Sequence, residues 1–525
     1  MRIFWRILSA IIALLYLLAI WRLGSLERSG PPHFDTTLDG GIPATVYIPG
    51  KPGSLGFTPL PPPVEERPPV VVLLHGYSAD RASMSTLARR FAQNGIAVVS
   101  IEFAGHGINR NAFSHGITDE MLVQETKAAV EYARSLPLID GSRIIVVGHS
   151  MGAGTALDYS QRDSTIAGAV MISGGFDLYG PQRPRNALFI YAQHDPVLIR
   201  TLARQIAAKL AGTDQLQLNK IYGDVSAGTA VEAIEVAGVD HIRILFSVDA
   251  ANEILDWCDR LFDFKPPAER NLSDPRISTQ FAAFILFLVL LVPLGFGLGA
   301  MAPVNEQRLR LGTSTAVALT GLAVALLVAL PLVSTYVPAQ FLALDTGDIL
   351  ISWLSIAGIG IIGMLALTDK LHWLTRQDGL IATVFTAVLG VALIYVLQVP
   401  RDVTLHNLSF TPERLVAFIF SSILLLPFWL GFEQLVRRGR SWISPIFGIT
   451  GRAIIILVLI LGLSARIIPS VVGLLLPAFV IYMIEAEIVS ASIYASSGNI
   501  ILAGLIEAAW LAWLVAAIMP ITMML

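Results

Sequence analysis

Apolar residues are spread unevenly along the chain and divide it into three regions. The stretch from Phe4 to Leu23 is almost continuously apolar, residues 30–275 mix apolar and polar positions, and long apolar runs recur from Phe281 onward. A helix needs about 20 apolar residues to cross a bilayer. The pattern therefore predicts an N-terminal membrane anchor at 1–29, a soluble domain at 30–275 and a multi-pass helical bundle at 276–525.

Eight spans are predicted in the bundle. Their bounds lie near 280–302, 313–337, 348–368, 379–399, 414–435, 446–465, 467–487 and 499–520. Arg452, Arg466 and Pro469 interrupt the apolar pattern in the sixth and seventh of these spans. This part of the chain is therefore also open to a second interpretation, one broken helix, which would move the C-terminus to the other side of the membrane.

The first apolar stretch is interpreted as an uncleaved anchor. Its length is close to a full span and exceeds the roughly 7–15 apolar residues of a signal peptide. Trp21, Arg22 and Leu23 occupy the place where a cleavage site of small residues would be expected. The anchor is therefore expected to stay attached to the soluble domain.

Charged residues between the spans predict the orientation. Three loops are basic and alternate, and the loop with Asp345 and Asp348 between them is acidic. Lys and Arg favour the cytoplasmic side of a membrane. The soluble domain is therefore predicted on the outer face of the plasma membrane, with Arg2 and Arg6 keeping the N-terminus inside. The residues of the basic loops are Arg308 and Arg310, Lys370 and Arg376, and Arg437, Arg438 and Arg440.

Short β-rich runs alternate with helical periodicity in the soluble region. This alternation is typical of an α/β fold, a doubly wound and mostly parallel sheet with helices on both faces. The predicted strands are Val70–Leu74, Ile96–Ile101, Arg143–Val147, Ala167–Ile172 and Ala187–Ala192, with a further β-rich run near Leu216–Tyr222; the predicted helices are Ser83–Asn94, Asp119–Leu136, Thr155–Arg162 and Ala250–Phe262.

Composition narrows the functional classes. The chain is 54% hydrophobic and only 14% charged, against about 25% charged residues in ordinary soluble domains. The formal net charge of -3 gives no indication of a nucleic-acid partner. Cys258 is the single cysteine, which excludes an intrachain disulfide and a cysteine-based metal cluster. Neither a cofactor nor a metal is expected, and the lipid bilayer is the predicted partner.

The segment from Gly148 to Gly152, GHSMG, fits the pattern G-x-S-x-G. It follows a predicted strand and opens a segment of small residues with helical character. In such a sharp turn the residues two before and two after the serine must be small, and the serine hydroxyl projects above the sheet at a helix N-terminus. Ser150 is therefore the predicted nucleophile; an incidental strand–helix turn is the weaker alternative.

A nucleophilic serine needs a base and an acid that orients it, expected in the order Ser, Asp or Glu, His. Asp195 follows a predicted strand and begins a turn with Pro196, and His241 precedes the predicted helix Ala250–Phe262. Their neighbours His194 and Asp240 could be confused with this pair. We predict Asp195 and His241.

Two backbone N–H groups are also needed to bind the oxyanion of the intermediate. The N–H of Met151 follows the nucleophile directly, and the loop His75-Gly76-Tyr77 follows the first predicted parallel strand. The sequence therefore predicts the N–H groups of Tyr77 and Met151 as the oxyanion hole.

Residues of about 40 to 265 resemble the α/β-hydrolase superfamily, close to its serine-esterase and dienelactone-hydrolase branch. The resemblance implies a serine hydrolase with Ser150 as nucleophile, His241 as general base and Asp195 as orienting acid, acting on an acyl ester or a lipid-like small molecule. Because this fold hosts many activities, ester, thioester and peptide hydrolysis and acyl transfer stay open. A transporter or scaffold with a domain that only binds is a further alternative.

Glutamates in the predicted bundle are candidates for function, because charged groups inside a membrane are expensive. They are Glu433, Glu485, Glu487 and Glu507. The segment Glu433–Gly439, EQLVRRG, and the later segment 498–510 are faintly similar to CAAX-type intramembrane proteases. Gln434 and Glu507 stand where that family has a glutamate and a histidine. The resemblance therefore implies a degenerate, non-proteolytic relative.

Overall fold

The computed structural model describes residues 2–50, 63, 66–114, 120–175, 177–178, 182–263, 269–304, 314–338, 341–368, 379–437 and 443–523. Arg308, Arg310, Lys370, Arg376, Arg438 and Arg440 lie outside these residues, and the predicted orientation stays a prediction. The chain forms two compact units. The sheet unit comprises residues 21–280 and 402–409, and the helical unit comprises residues 1–20, 281–401 and 410–525.

The sheet unit contains one eight-stranded sheet, in the order β1-β2-β4-β3-β5-β6-β7-β8. An antiparallel hairpin forms one edge and pairs antiparallel with β4, and the strands from β4 to β8 are parallel to one another. The carboxyl ends of β3, β5, β6, β7 and β8 therefore meet at one edge. The strands are β1 (His33–Leu38), β2 (Ile42–Tyr47), β3 (Val70–Leu74), β4 (Ala97–Ile101), β5 (Ile144–His149), β6 (Gly168–Ile172), β7 (Ala187–Ala192) and β8 (Val231–Val236).

Helices cover both faces of this sheet, because successive strand residues point to opposite sides and both sides are apolar. Val71 and Leu73 of β3 pack in a core with α2 and α6, and Val70 and Val72 pack with α3 on the other face. The helices are α2 (Arg81–Gln93), α3 (Glu120–Ser135), α4 (Met151–Ser160), α5 (Val197–Ala211) and α6 (Val248–Phe262). The predicted doubly wound, mostly parallel α/β architecture is confirmed.

The prediction of a strand near Leu216–Tyr222 is wrong. Only Tyr222 in that run makes an isolated bridge, to Val231, and the strand itself is β8. Glu232 and Glu235 break the apolar pattern of β8 and conceal it in the sequence. The fold accommodates the buried Glu232 beside Arg260, with 3.1 Å between Glu232 Oε2 and Arg260 Nη1.

The described residues contain nine helices long and apolar enough to cross a membrane. They are α1 (Arg2–Arg28), α7 (Pro275–Met301), α8 (Ser314–Tyr336), α9 (Gly347–Leu367), α10 (Leu380–Gln398), α11 (Pro412–Val436), α12 (Ser444–Ser464), α13 (Leu476–Ser497) and α14 (Ile500–Ile518). Short 3-10 helices lie at Arg243–Phe246, Val399–Arg401 and Ser470–Leu475. The span expected at 467–487 is α13, nine or ten residues later at each end, because the chain first turns through Pro469 and the last 3-10 helix. α12 and α13 are separate helices, each long enough to cross a membrane, and the side on which the C-terminus lies stays a prediction.

Within the helical unit, buried glutamates and arginines form an ion-pair cluster. Arg437 Nε lies 3.0 Å from Glu433 Oε2, and its Nη1 lies 2.7 Å from Glu487 Oε1. Arg452 Nε lies 3.1 Å from Glu487 Oε2, and Arg452 also pairs with Glu507. Each of these three buried glutamates therefore has a guanidinium partner.

Candidate active site

Ser150 occupies the turn between β5 and α4 in a strained conformation. Its φ of 54° lies in the left-handed region, which costs free energy for a residue with a side chain. A Cβ on Gly148 would lie 2.0 Å from the carbonyl oxygen of Gly152, and one on Gly152 would lie 2.6 Å from that of Leu74. The two glycines thus permit close backbone contacts that a residue with a side chain would block. Ser150 is half-buried and lies at the edge of the sheet where the parallel strands end.

A chain of hydrogen bonds joins the three side chains that the sequence proposes for catalysis. His241 Nε2 lies 3.1 Å from Ser150 Oγ, and His241 Nδ1 lies 2.6 Å from Asp195 Oδ1. Asp195 lies in the turn after β7, and His241 follows β8. An ionised carboxylate only accepts hydrogen bonds. Nδ1 must therefore carry the proton, which leaves Nε2 free to accept the hydrogen of the serine hydroxyl.

Asp195 is buried and held by two further donors. Its Oδ2 accepts hydrogen bonds from Ser173 Oγ at 2.6 Å and from the Ala192 N–H at 2.8 Å. Burial alone would raise the pKa of Asp195, but the hydrogen bonds from His241 and Ser173 bring it below its ordinary value. Asp195 therefore stays ionised at neutral pH and fixes the imidazole of His241.

Ser173 is a site residue that sequence reasoning missed. It directly follows β6, has a φ of 50° and is completely buried. Its position at the carboxyl end of a parallel strand, the same edge as Ser150 and Asp195, is the signal that could have found it.

The neighbouring pair His194 and Asp240 is not brought to the serine. His194 is exposed. Asp240 Oδ1 accepts hydrogen bonds from the N–H groups of Ile242 and Arg243, which fixes the turn that presents His241.

The loop after β3 passes close to Ser150. A Cβ on Gly76 would lie 3.2 Å from Ser150 Cβ and 2.9 Å from His149 Nδ1, so this approach requires glycine. Tyr77 follows on the loop, and its ring packs edge-on against His106 and Phe113. Met151 begins α4, where the first backbone N–H groups have no acceptor within the helix. Both predicted oxyanion residues therefore lie next to Ser150 in the fold.

Two buried histidines stiffen this arrangement. His75 Nε2 accepts the Phe103 N–H at 3.0 Å, and burial lowers the pKa of His75 to about 4. His149 Nε2 lies 2.9 Å from the carbonyl oxygen of His241. Burial, followed by the neighbouring His241, lowers the pKa of His149 to about 3. His149 is therefore neutral and donates Nε2–H to the backbone of His241.

Exposed apolar side chains lie close in sequence to the residues of the site. Of the segment 173–186, the described residues contain no helix that could form a cap. Val197 and Leu198 follow Asp195 closely and are 70% and 67% exposed, and Ile242 next to His241 is 43% exposed.

Part of the chain is similar to known proteins. A family model described as "Serine aminopeptidase, S33" matches residues 65–244. Together with the strand order and the turn at Ser150, this match decides the fold. The sheet unit has the α/β-hydrolase fold, as predicted.

Relatives cover only part of the chain. It is 28% identical over 110 residues to the quorum-quenching protein AidA of Acinetobacter baumannii, covering 21% of this chain and 36% of that protein. It is 31% identical over 109 residues to a monoacylglycerol lipase of Mycolicibacterium smegmatis, covering 20% and 37%. A solved esterase of Pyrobaculum calidifontis shares 17% identity with a TM-score of 0.33, over 48% of this chain and 92% of that one. The chain thus matches little more than a third of the length of these curated relatives.

Proposed function

We propose that this protein is a membrane-tethered serine hydrolase that cleaves ester or thioester bonds through an acyl-enzyme intermediate. The observation that carries the proposal is the continuous chain of hydrogen bonds from Ser150 through His241 to Asp195. Ser150 is the nucleophile, His241 the general base and Asp195 the residue that orients it.

Acylation follows from the proton positions in this chain. His241 Nε2 takes the proton of Ser150 Oγ as the oxygen attacks the acyl carbon, and Asp195 stabilises the imidazolium that forms. When the tetrahedral intermediate collapses, the same proton passes from Nε2 to the leaving alcohol or thiol. Ser150 is left as an acyl ester.

Deacylation repeats these steps with water. His241 Nε2 removes a proton from the water that attacks the acyl carbon, and then returns it to Ser150 Oγ as the acid product leaves. The N–H groups of Tyr77 and Met151 donate to the oxyanion in both halves of the reaction. One such donor contributes about 10²–10³ in kcat in enzymes of this kind.

The proposed substrate is an acyl ester or a lipid-like small molecule. The exposed side chains of Val197, Leu198 and Ile242 border the residues of the site in sequence and offer apolar surface to an acyl chain. The likeness to a monoacylglycerol lipase supports the same class of substrate. The family description supports a peptidase as the alternative, and acyl transfer would follow if an alcohol replaced water in deacylation.

For the helical unit we propose a membrane-spanning, non-proteolytic role, with the sheet unit on the outer face of the plasma membrane. The nine apolar helices support the membrane location. The pairing of Glu433 and Glu487 with Arg437 supports a structural use of these carboxylates, because their oxygens already contact a buried guanidinium. Glutamates that pair with arginines instead of serving catalysis are expected in a degenerate, non-proteolytic relative of CAAX-type proteases.

The test is hydrolysis by the full-length protein in detergent or vesicles. Short-chain p-nitrophenyl esters and matching thioesters should be turned over, whereas aminoacyl p-nitroanilides should not. Ser150→Ala should lose turnover and keep its melting temperature. Preference for the amides would replace the ester proposal with the peptidase, and absence of turnover of every substrate by the wild type would favour the transporter or scaffold.

A further inference from the structure

A segment from the C-terminal half of the chain belongs to the sheet unit. Residues 402–409 lie in sequence between α10 and α11, two helices long enough to span a membrane, yet they are part of the compact unit that carries the hydrolase sheet. Thr404 hydrogen-bonds Gln280 in the same unit. The α/β-hydrolase domain is therefore completed by residues far from it in sequence.

This segment binds the carboxylate of Asp80. His406 Nδ1 lies 2.9 Å from Asp80 Oδ2, and the Asn407 N–H donates to the same oxygen at 2.5 Å. His406 Nδ1 also lies 3.2 Å from the Asn407 carbonyl oxygen, so both partners of this nitrogen are acceptors and it carries a proton. Asp80 is completely buried. Burial alone would raise its pKa, but His406 holds it well below the ordinary value.

Asp80 in turn fixes the end of the loop over the nucleophile. It is the N-cap of α2: its Oδ1 accepts the Ala82 N–H at 2.8 Å, and its carbonyl oxygen accepts Ser83 Oγ at 2.6 Å. The turn closed by Ala79 N–H and the Gly76 carbonyl oxygen precedes it directly. The proposed donor Tyr77 thus lies between two fixed points, His75 at the end of β3 and Asp80 at the start of α2.

Other segments that border the apolar helices also converge on α2. Arg89 Nη2 donates to the Leu26 carbonyl oxygen near the end of α1, at 2.8 Å. Thr86 Oγ1 donates to Asp274 Oδ2 just before α7, at 3.2 Å. α2 is therefore held along its length by Leu26 and Asp274 of the same unit, and His406 acts at the end nearest Ser150.

We propose that His406 is a positioning residue of the hydrolase site, which holds the loop 75–79 through Asp80 so that the Tyr77 N–H meets the oxyanion. The inference rests on the proposed function. It assigns the C-terminal half a part in catalysis, because the segment 402–409 supplies the proton donor that the buried N-cap of α2 requires.

Two substitutions of similar size distinguish the hydrogen bond between His406 and Asp80 from the space that the His406 side chain fills. The amide nitrogen of His406→Asn can take the place of Nδ1, whereas that of His406→Gln reaches the place of Nε2. In the full-length protein, His406→Gln should lower kcat for a p-nitrophenyl ester about tenfold, less than the roughly 10²–10³ of a lost oxyanion donor. KM should change less than twofold, since the oxyanion contact forms in the transition state. His406→Asn should stay within about threefold of the wild-type kcat.

Leu405→Ala is the matched control, because Leu405 is 47% exposed in the same segment. It should keep the wild-type kcat and KM.

A double variant tests whether His406 acts through Asp80. If it does, adding His406→Gln to Asp80→Ala should cause no further loss of kcat. Equal kcat for His406→Gln and Leu405→Ala would overturn the proposal, as would additive losses in the double variant. If His406→Gln does not fold, His406→Asn provides the test. A loss of kcat of about tenfold in His406→Asn would overturn the proposal, because its amide nitrogen can replace Nδ1. A wild type without hydrolysis would instead refute the proposed function.

Discussion

Replacement of Asp195 by Asn should abolish nearly all turnover and leave the fold intact. The carboxylate accepts His241 Nδ1–H on Oδ1, and Ser173 Oγ–H and the Ala192 N–H on Oδ2. An amide offers one accepting oxygen and one donating nitrogen. Because the Ala192 N–H can only donate, the amide oxygen should take the place of Oδ2. The amide nitrogen then faces His241.

The consequence is the wrong tautomer of the base. Two donors cannot share a hydrogen bond, so His241 would present an unprotonated Nδ1 to the amide and carry its proton on Nε2. It then cannot accept the proton of Ser150. The same substitution in serine proteases lowers kcat about 10⁴-fold, which corresponds to roughly 5.4 kcal/mol of activation free energy. We expect a loss of about 10³–10⁴-fold here.

The assay is kcat for a short p-nitrophenyl ester, with the melting temperature of the same preparation. Asp240→Asn is the matched control, because Asp240 Oδ1 accepts two backbone N–H groups and an amide oxygen can replace it. This control should keep kcat within about twofold of the wild type. More than a tenth of wild-type kcat in Asp195→Asn, or an equal loss in Asp240→Asn, would refute the assignment.

Three further substitutions test other parts of the structure. Gly148→Ala should lower the free energy of unfolding by about 3 kcal/mol, because its Cβ would lie 2.0 Å from the Gly152 carbonyl oxygen, a backbone atom that cannot move aside. His149→Gln should reduce the loss of stability between pH 7 and 5. The buried histidine has its pKa lowered to about 3, so the unfolded chain binds the extra proton below pH ~6.5 and the wild type loses about 2 kcal/mol by pH 5. Arg437→Gln should destabilise the helical unit by about 3–5 kcal/mol, since it removes a buried cation from two glutamates.

Thermal or denaturant unfolding of the full-length protein measures all three effects. Gly154→Ala is the control for the first, because among the described residues no atom outside its own stretch of helix lies within 4 Å of the added Cβ. Equal stability of the two alanine variants would contradict the steric argument. An unchanged pH dependence in His149→Gln would show that this histidine is not buried and neutral. Adding Glu433→Gln should restore part of the stability lost in Arg437→Gln, and full tolerance of Arg437→Gln alone would mean that the ion pairs are not buried as described.

The sharp turn at Ser150 could be predicted because its requirements are local. Gly148 and Gly152 lie two residues from Ser150, and the adjacent strand and helix show in the periodicity of the sequence. Asp195 and His241 also follow recognisable elements, and the fold brings the carboxyl ends of their strands to one edge. The strand before His241 is predicted near Leu216–Tyr222, whereas it lies at Val231–Val236. The sequence conceals it because Glu232 is accommodated only in the folded protein, where Arg260 of α6 pairs with it.

The supporting contacts could not be predicted because they depend on tertiary pairing. The hydroxyl of Ser173 hydrogen-bonds Asp195 between the ends of two neighbouring strands, and His149, directly before Ser150, hydrogen-bonds the backbone of His241. The contact between Asp80 and His406 joins positions more than 300 residues apart. No periodicity or motif in the sequence marks a pairing of this range.

The proposed function depends on Ser150 acting as a nucleophile that His241 activates. Its most direct test is labelling of the full-length protein with a fluorophosphonate, followed by mass spectrometry of the labelled peptide. One phosphonyl adduct is expected on Ser150. It should be absent from Ser150→Ala and form at least ~10²-fold more slowly in His241→Ala, since a general base contributes about 10²–10⁴ in rate. An unlabelled wild type, or an adduct on another residue, would contradict the proposed function.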